Sequence, residues 1–199
     1  MKRWRIDTLL GLGLVVLSAC GGSEEQSGLS DPPQSKSFSQ LLTEEIALSE
    51  SWSDGYFTDP ATLPNAGTAN YVGIVRIAVE TGGPEIQMAG DFAVTANFQT
   101  TTVSGAATGF VDQSDQSYVG VLSMADGSID RAADTAVEYT FIAEIGGTLT
   151  RSGAIYDITG LLGGDFLEPA YGAIDGVISG TVTSGIDGGL VYGDFIAEQ

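Results

Sequence analysis

An all-β fold, an antiparallel up-and-down β-barrel of about eight strands, is predicted by three observations. Apolar and polar residues alternate with period two in successive runs between Tyr71 and Ile196. The runs are separated by turn chemistry such as Gly82-Gly83-Pro84, Gln99 to Thr102 and Arg151-Ser152-Gly153. A helical period emerges only once, near residue 40. Closure into a barrel removes the free sheet edges that a two-sheet sandwich, the second choice, would keep.

The chain opens with Lys2, Arg3 and Arg5 before an apolar run from Thr8 to Leu17, which is too short to span a bilayer and has the layout of a secretory signal peptide. The run ends in Leu17-Ser18-Ala19-Cys20, which resembles the lipobox of bacterial lipoproteins. That resemblance implies cleavage after residue 19, acylation of Cys20 and a membrane-held mature protein. Several acyl chains give stable anchoring where one alone is marginal. Gly21 stands where an aspartate commonly retains such proteins at the inner membrane, so the outer membrane is the expected location. Cys20 is also the sole cysteine, which leaves no intramolecular disulfide.

Residues 20–36 are nearly free of apolar side chains apart from Leu29 and are read as a flexible tether. Ser37 and Gln40 form a candidate capping box, and Phe38, Leu41, Leu42, Glu45, Ile46 and Ser49 follow at helical spacing. Trp52, Tyr56 and Phe57 fit no period; they are either an exposed aromatic binding patch or a plug packed on the barrel. The expected division is therefore 1–19 signal peptide, 20–36 lipidated tether, 37–66 short helix and irregular lead-in, and 67–199 barrel.

Within the barrel, Tyr71, Gly73, Val75, Ile77 and Val79 mark one face of the first strand. The stretch from Glu85 to Val111 is the clearest hairpin: Ile86, Met88, Gly90, Phe92, Val94, Ala96 and Phe98 alternate with mostly polar residues before a Gln-Thr-Thr-Thr turn and the run from Val103. Tyr118, Gly120, Leu122 and Met124 follow, and then the longest expected connection, 126–134. A fifth run places Val137, Tyr139, Phe141, Ala143 and Ile145 on one side. Tyr156, Ile158, Gly160 and Leu162 face inward on the sixth, and runs from Tyr171 to Val182 and Leu190 to Ile196 complete the set. Charged residues on the outward set, Arg76, Asp91, Glu138, Glu144 and Asp157, predict a soluble barrel rather than a membrane pore.

Composition narrows function. The 199 residues carry a net charge of −19, and loss of the first nineteen, with three basic residues and one acidic, leaves −21. Lys36, Arg76, Arg131 and Arg151 are then the only cations, a field that repels nucleic acid and favours basic partners, or simply keeps a Gly-rich β protein in solution. The sequence contains no histidine, which removes imidazole metal sites and Ser-His-Asp triads. No cofactor is expected and no catalytic group is assigned, although carboxylate pairs alone can hydrolyse glycosides. The Asp-rich turns at 112–115 and 126–130 match no twelve-residue calcium loop.

Three segments carry a family resemblance. Leu63 to Gly73 contains a Pro, then a Gly, then Tyr71-Val72-Gly73; Ala96-Asn97-Phe98 precedes Val103-Ser104-Gly105; and Gly164-Asp165-Phe166-Leu167-Glu168-Pro169 leads to Asp175-Gly176. Together they resemble the barrel domain of transferrin-binding protein B and its relatives, including factor H-binding protein, with Asn97 in place of the usual Asp and Leu167-Glu168 in place of Tyr-Gly. The resemblance implies an eight-stranded barrel on a surface lipoprotein, in a group that binds host proteins or iron and haem carriers through widely differing surfaces. Only one barrel is present, so transferrin binding and ligand residues do not carry over.

The leading expectation is a non-enzymatic, surface-tethered binding module; the rivals are a lipocalin-like carrier of a small ligand inside the barrel and a structural envelope protein. Bulky inward residues at 118, 139, 141, 156, 158 and 162 favour a filled interior and hence the module. Partner contacts are expected at one end of the barrel, where the turns at 99–102, 126–135 and 166–170 meet. The candidate residues there are Asp126, Asp130, Arg131 and Asp134, with Arg131 neutralising its acidic neighbours.

Overall fold

A computed structural model describes residues 36–185 and 187–199. The expected signal peptide, Cys20 and all of the expected tether but Lys36 lie outside the described residues, as does the side chain of Asp126. Eight antiparallel strands close into a barrel in sequence order: β1 Thr68–Glu80, β2 Ile86–Asn97, β3 Thr102–Asp112, β4 Val119–Ile129, β5 Phe141–Arg151, β6 Ala154–Leu167, β7 Ala173–Ser184 and β8 Asp187–Glu198. Closure is made by β1 against β8, with Val72 opposite Glu198 and Glu80 opposite Leu190, so no sheet edge stays open. Among the described residues no helix is long and apolar enough to cross a membrane.

The expected lead-in helix forms as α1, Phe38–Ser51, and its start is fixed by the capping box: Ser37 Oγ accepts from Gln40 N at 3.2 Å and Gln40 Oε1 from Ser37 N at 2.8 Å. α1 lies on the outer wall, where Leu41 is fully buried with Ile74, Ala89 and Val111. Ile46, read as part of the apolar face, instead points to solvent.

Inside the barrel, side chains fill the space. Phe166 packs against Tyr71, Phe98 and Phe141 with ring centroids 6.1, 5.8 and 5.3 Å away, and Phe195 against Phe92 and Phe141 at 5.1 and 6.3 Å. The cluster continues through Ile158, Leu149, Val182 and Met88 to Tyr118 and Tyr156. Gly164 and Gly176, paired across β6 and β7, make room for these rings: a Cβ on either would lie 2.7 Å from the Phe195 ring.

Two expectations about the fourth and fifth strands are corrected. β4 continues through residues 126–129, read as loop, because a bulge between Ala125 and Ser128 lets Ser128 and Ile129 pair with Ile142 and Phe141. β5 starts only at Phe141, so Val137 and Tyr139 do not face the interior, and Glu138 is part of the connection rather than the barrel wall. The amides of Val137 and Glu138 bond back to the Asp134 carbonyl, making a turn, and Asp130 N donates to Thr140 O to close the loop at its base. Arg76, Asp91, Glu144 and Asp157 do lie on the outer wall.

Candidate docking site

The grouping of turns expected from an up-and-down order holds. The connections at 98–101, 130–140 and 168–172 share one end with the start of β1 and the end of β8; those at 81–85, 113–118 and 152–153 and the turn after Ser184 share the other. At that second end, Asp112 is buried and organises its own turn. Its carboxylate accepts from the amides of Ser114 and Gln116 at 2.8 and 3.1 Å, from the Tyr118 hydroxyl at 3.3 Å and from Arg151. The Asp-rich stretch 112–115 is thus tied into the barrel's own hydrogen bonds.

At the first end, Asp130, Arg131 and Asp134 lie in one connection, and the structure gives Arg131 a different role. Its guanidinium does not pair with Asp130 or Asp134; Nη1 donates to the Leu63 carbonyl at 2.7 Å, and Nη2 to the carbonyls of Pro64 and, at 3.0 Å, Phe98. Arg131 therefore clamps the long connection to the lead-in and to the β2–β3 turn. Asp130 and Asp134 are exposed and accept from the amides of Ala132 and Ala136 at 2.8 and 3.1 Å, so they shape the loop itself.

A second feature lies beside this loop, on the outer wall of β6, β7 and β8. After α1, Trp52 donates its indole N–H to Glu198 at 3.0 Å and packs on Gly172, where a Cβ would come within 2.6 Å of the ring. Phe57 forms a single bridge with Leu167. Tyr139 lies flat on Gly163, whose Cβ would meet Cδ2, Cε2 and Cγ of the ring at 2.4 to 2.9 Å. Between these aromatics runs an open groove of about 460 Å³, lined also by Glu45, Asp165, Asp175, Val177, Asp194 and Ile196. The plug reading of the lead-in holds for Trp52, while Phe57 is tied down by its backbone bridge with its ring about half exposed and Tyr56 projects into solvent.

The charges of the groove are unevenly matched. Arg76 grips Asp194 through Nε and Nη2 at 3.3 and 2.8 Å and reaches Glu45 at 3.3 Å. Asp165 is buried at 5 % exposure, and its Oδ1 accepts from both the amide and the hydroxyl of Thr140, at 2.9 and 2.7 Å. Directly across the strand pair stands Asp175. Among the described residues no cation pairs with either. Burial, and secondarily the Asp165 charge, pushes the Asp175 carboxyl up to about 6. Burial in turn raises Glu45 above its ordinary range, with Arg76 opposing the shift.

The Asp175 shift has a definite sign in stability. Between the ordinary value of 3.8 and about 6, the folded protein holds a proton that the unfolded chain has released. Stability from this group is therefore fully present below that window and lost as pH rises through it. Asp175→Asn is expected to melt a few degrees above wild type at pH 7.5 and together with it at pH 3.5, followed by circular dichroism. A wild-type advantage at pH 7.5 would contradict the assignment.

The sequence does carry Asp165 and Asp175, but as ordinary outward strand positions. The signal that could have marked them is an acid embedded in apolar runs, Gly164-Asp165-Phe166 and Ile174-Asp175-Gly176. Fold and surface together define a class: a small filled β-barrel with an aromatic and acidic groove on its outer wall. Compared with protein-family models and with curated proteins, the chain matches none.

Proposed function

We propose that the protein is a non-enzymatic binding module, held on the outer membrane by lipid on Cys20, that contacts a macromolecular partner through the outside of its barrel. The observation that carries this reading is the packed interior: the rings of Tyr71, Phe92, Phe98, Phe141, Phe166 and Phe195 occupy the space a lipocalin-like carrier would need for its ligand. A partner must then use the outer wall or the loop end. The three motif segments support kinship with the transferrin-binding protein B type of surface lipoprotein, and the net charge disfavours nucleic acid as partner.

Native mass spectrometry of the full lipoprotein released from detergent separates the readings. The module appears without an internal small ligand and with a captured protein after incubation with its surroundings; a retained small molecule of constant mass supports the carrier. The anchor is tested separately. Labelled palmitate is expected in wild type and absent from Cys20→Ala, and label retained by the variant would overturn the lipobox reading.

A further inference from the structure

We propose that the groove between Trp52, Tyr139 and the Asp165–Asp175 pair is a docking pocket for a basic side chain, lysine or arginine, displayed on the surface of a partner protein. The inference rests on the binding-module reading and names the chemistry of the partner.

The first support is an unmet acceptor. Asp165 is almost wholly buried and lines the groove; Thr140 engages its Oδ1, while Oδ2 accepts from no donor among the described residues and is the atom that solvent reaches. That oxygen is free to accept from a charged donor entering the groove, a stronger bond than the water it would displace. The second is charge balance: Glu45 and Asp194 share Arg76, while Asp165 and Asp175 face each other with no cation among the described residues. The third is the aromatic surround, since an ammonium or guanidinium group gains from Trp and Tyr rings near it. Both rings are seated on glycines, Trp52 on Gly172 and Tyr139 on Gly163, so the pocket is built into the backbone.

The occupant is a side chain rather than a free cation because the pocket does not stand alone. Val137, Ile142 and Val177 are 79, 48 and 43 % exposed, and Ile142 and Val177 flank Gly163 in one cross-strand row beneath Tyr139. An exposed apolar strip beside a charged pocket fits a protein surface that buries both. A metal ion fits poorly, because among the described residues no three acidic side chains gather as its ligands would.

The contact is also pH-dependent. The charged groups that line the groove with Asp175 are Asp165 from β6, Asp194 from β8 and Glu45 from α1, the last two held by Arg76 from β1. Deprotonation of Asp175 completes the negative pair, so affinity rises between pH 5 and pH 7.5.

The test uses the full lipoprotein in detergent and a labelled peptide of alternating arginine and leucine, with its lysine and citrulline counterparts, read by fluorescence anisotropy. The arginine and lysine peptides are expected to bind. Asp165→Asn with Asp175→Asn weakens them about tenfold, whereas the charge-matched control Glu144→Gln with Asp187→Asn, away from the groove, changes affinity by less than about twofold. Asp175→Asn alone, which disturbs no hydrogen bond of Thr140, weakens binding less and abolishes the pH rise. Ile142→Ser weakens the peptides but not tetramethylammonium. Equal loss in the control pair, or equal binding of the citrulline peptide, would overturn the pocket; Ile142→Ser without effect would overturn the protein partner in favour of a small cation. A retained internal ligand in the mass-spectrometric experiment would instead sink the module reading, whatever the peptide does.

Discussion

Truncating Phe166 to alanine is expected to lower the melting temperature by about 10 °C, from a loss of about 4 kcal/mol, and to make the barrel take up small apolar molecules. Phe166 has no exposed surface and sits among the rings of Tyr71, Phe98 and Phe141. Its removal leaves a ring-sized void whose walls are held by closed strand pairing on all sides, so the site cannot collapse. An apolar void of that kind stays dry and accepts benzene. Benzene should therefore raise the melting temperature of Phe166→Ala and leave wild type unchanged, since only a native state with a vacancy gains from the ligand. A matching rise in wild type would mean that the interior has room, and the carrier reading would replace the module.

The barrel was legible because its interior residues alternate without interruption where both strand neighbours are local. Ile86 to Phe98 is such a run, and β2 forms as read. Alternation is not sufficient, however. Val137 and Tyr139 continue the pattern of Phe141, Ala143 and Ile145, yet the strand stops at Phe141 because Thr140 gives both its donors to Asp165, which lies in another strand. The reverse error arises at 126–129, where Asp, Gly and Ser have turn composition and a bulge keeps them in the sheet. The groove was hidden for a related reason. Asp165 and Asp175 become special only when α1, Trp52 and Tyr139, distant in sequence, are laid beside them. Charge proximity in sequence misled in the same way at Arg131, whose neighbours Asp130 and Asp134 suggested ion pairs, while the fold offers carbonyls.

Arg131→Ala is accordingly expected to cost about 3 kcal/mol and about 8 °C in melting temperature, although Arg131 belongs to a loop. Its guanidinium serves the carbonyls of Leu63, Pro64 and Phe98, and Leu63 is buried, so water cannot fully replace the lost donors. A planar fork can reach three acceptors at once, whereas an ammonium is a single point; Arg131→Lys should recover only part of the loss. Were the arginine held by its acidic neighbours, Asp130→Asn and Asp134→Asn would be equally harmful. Each asparagine keeps the oxygen that accepts from Ala132 or Ala136, so both are expected to melt within about 1 °C of wild type. The clamp also bears on recognition, because the loop it holds carries Tyr139, one wall of the proposed pocket, and Val137 of the apolar strip beside it. Arg131→Ala should thus weaken the arginine peptide under conditions where the barrel remains folded, and hydrogen exchange should show faster opening at 131–139 than in wild type. Unchanged melting and unchanged exchange would mean that the three carbonyls do not depend on Arg131, and the loop would then need another source of order.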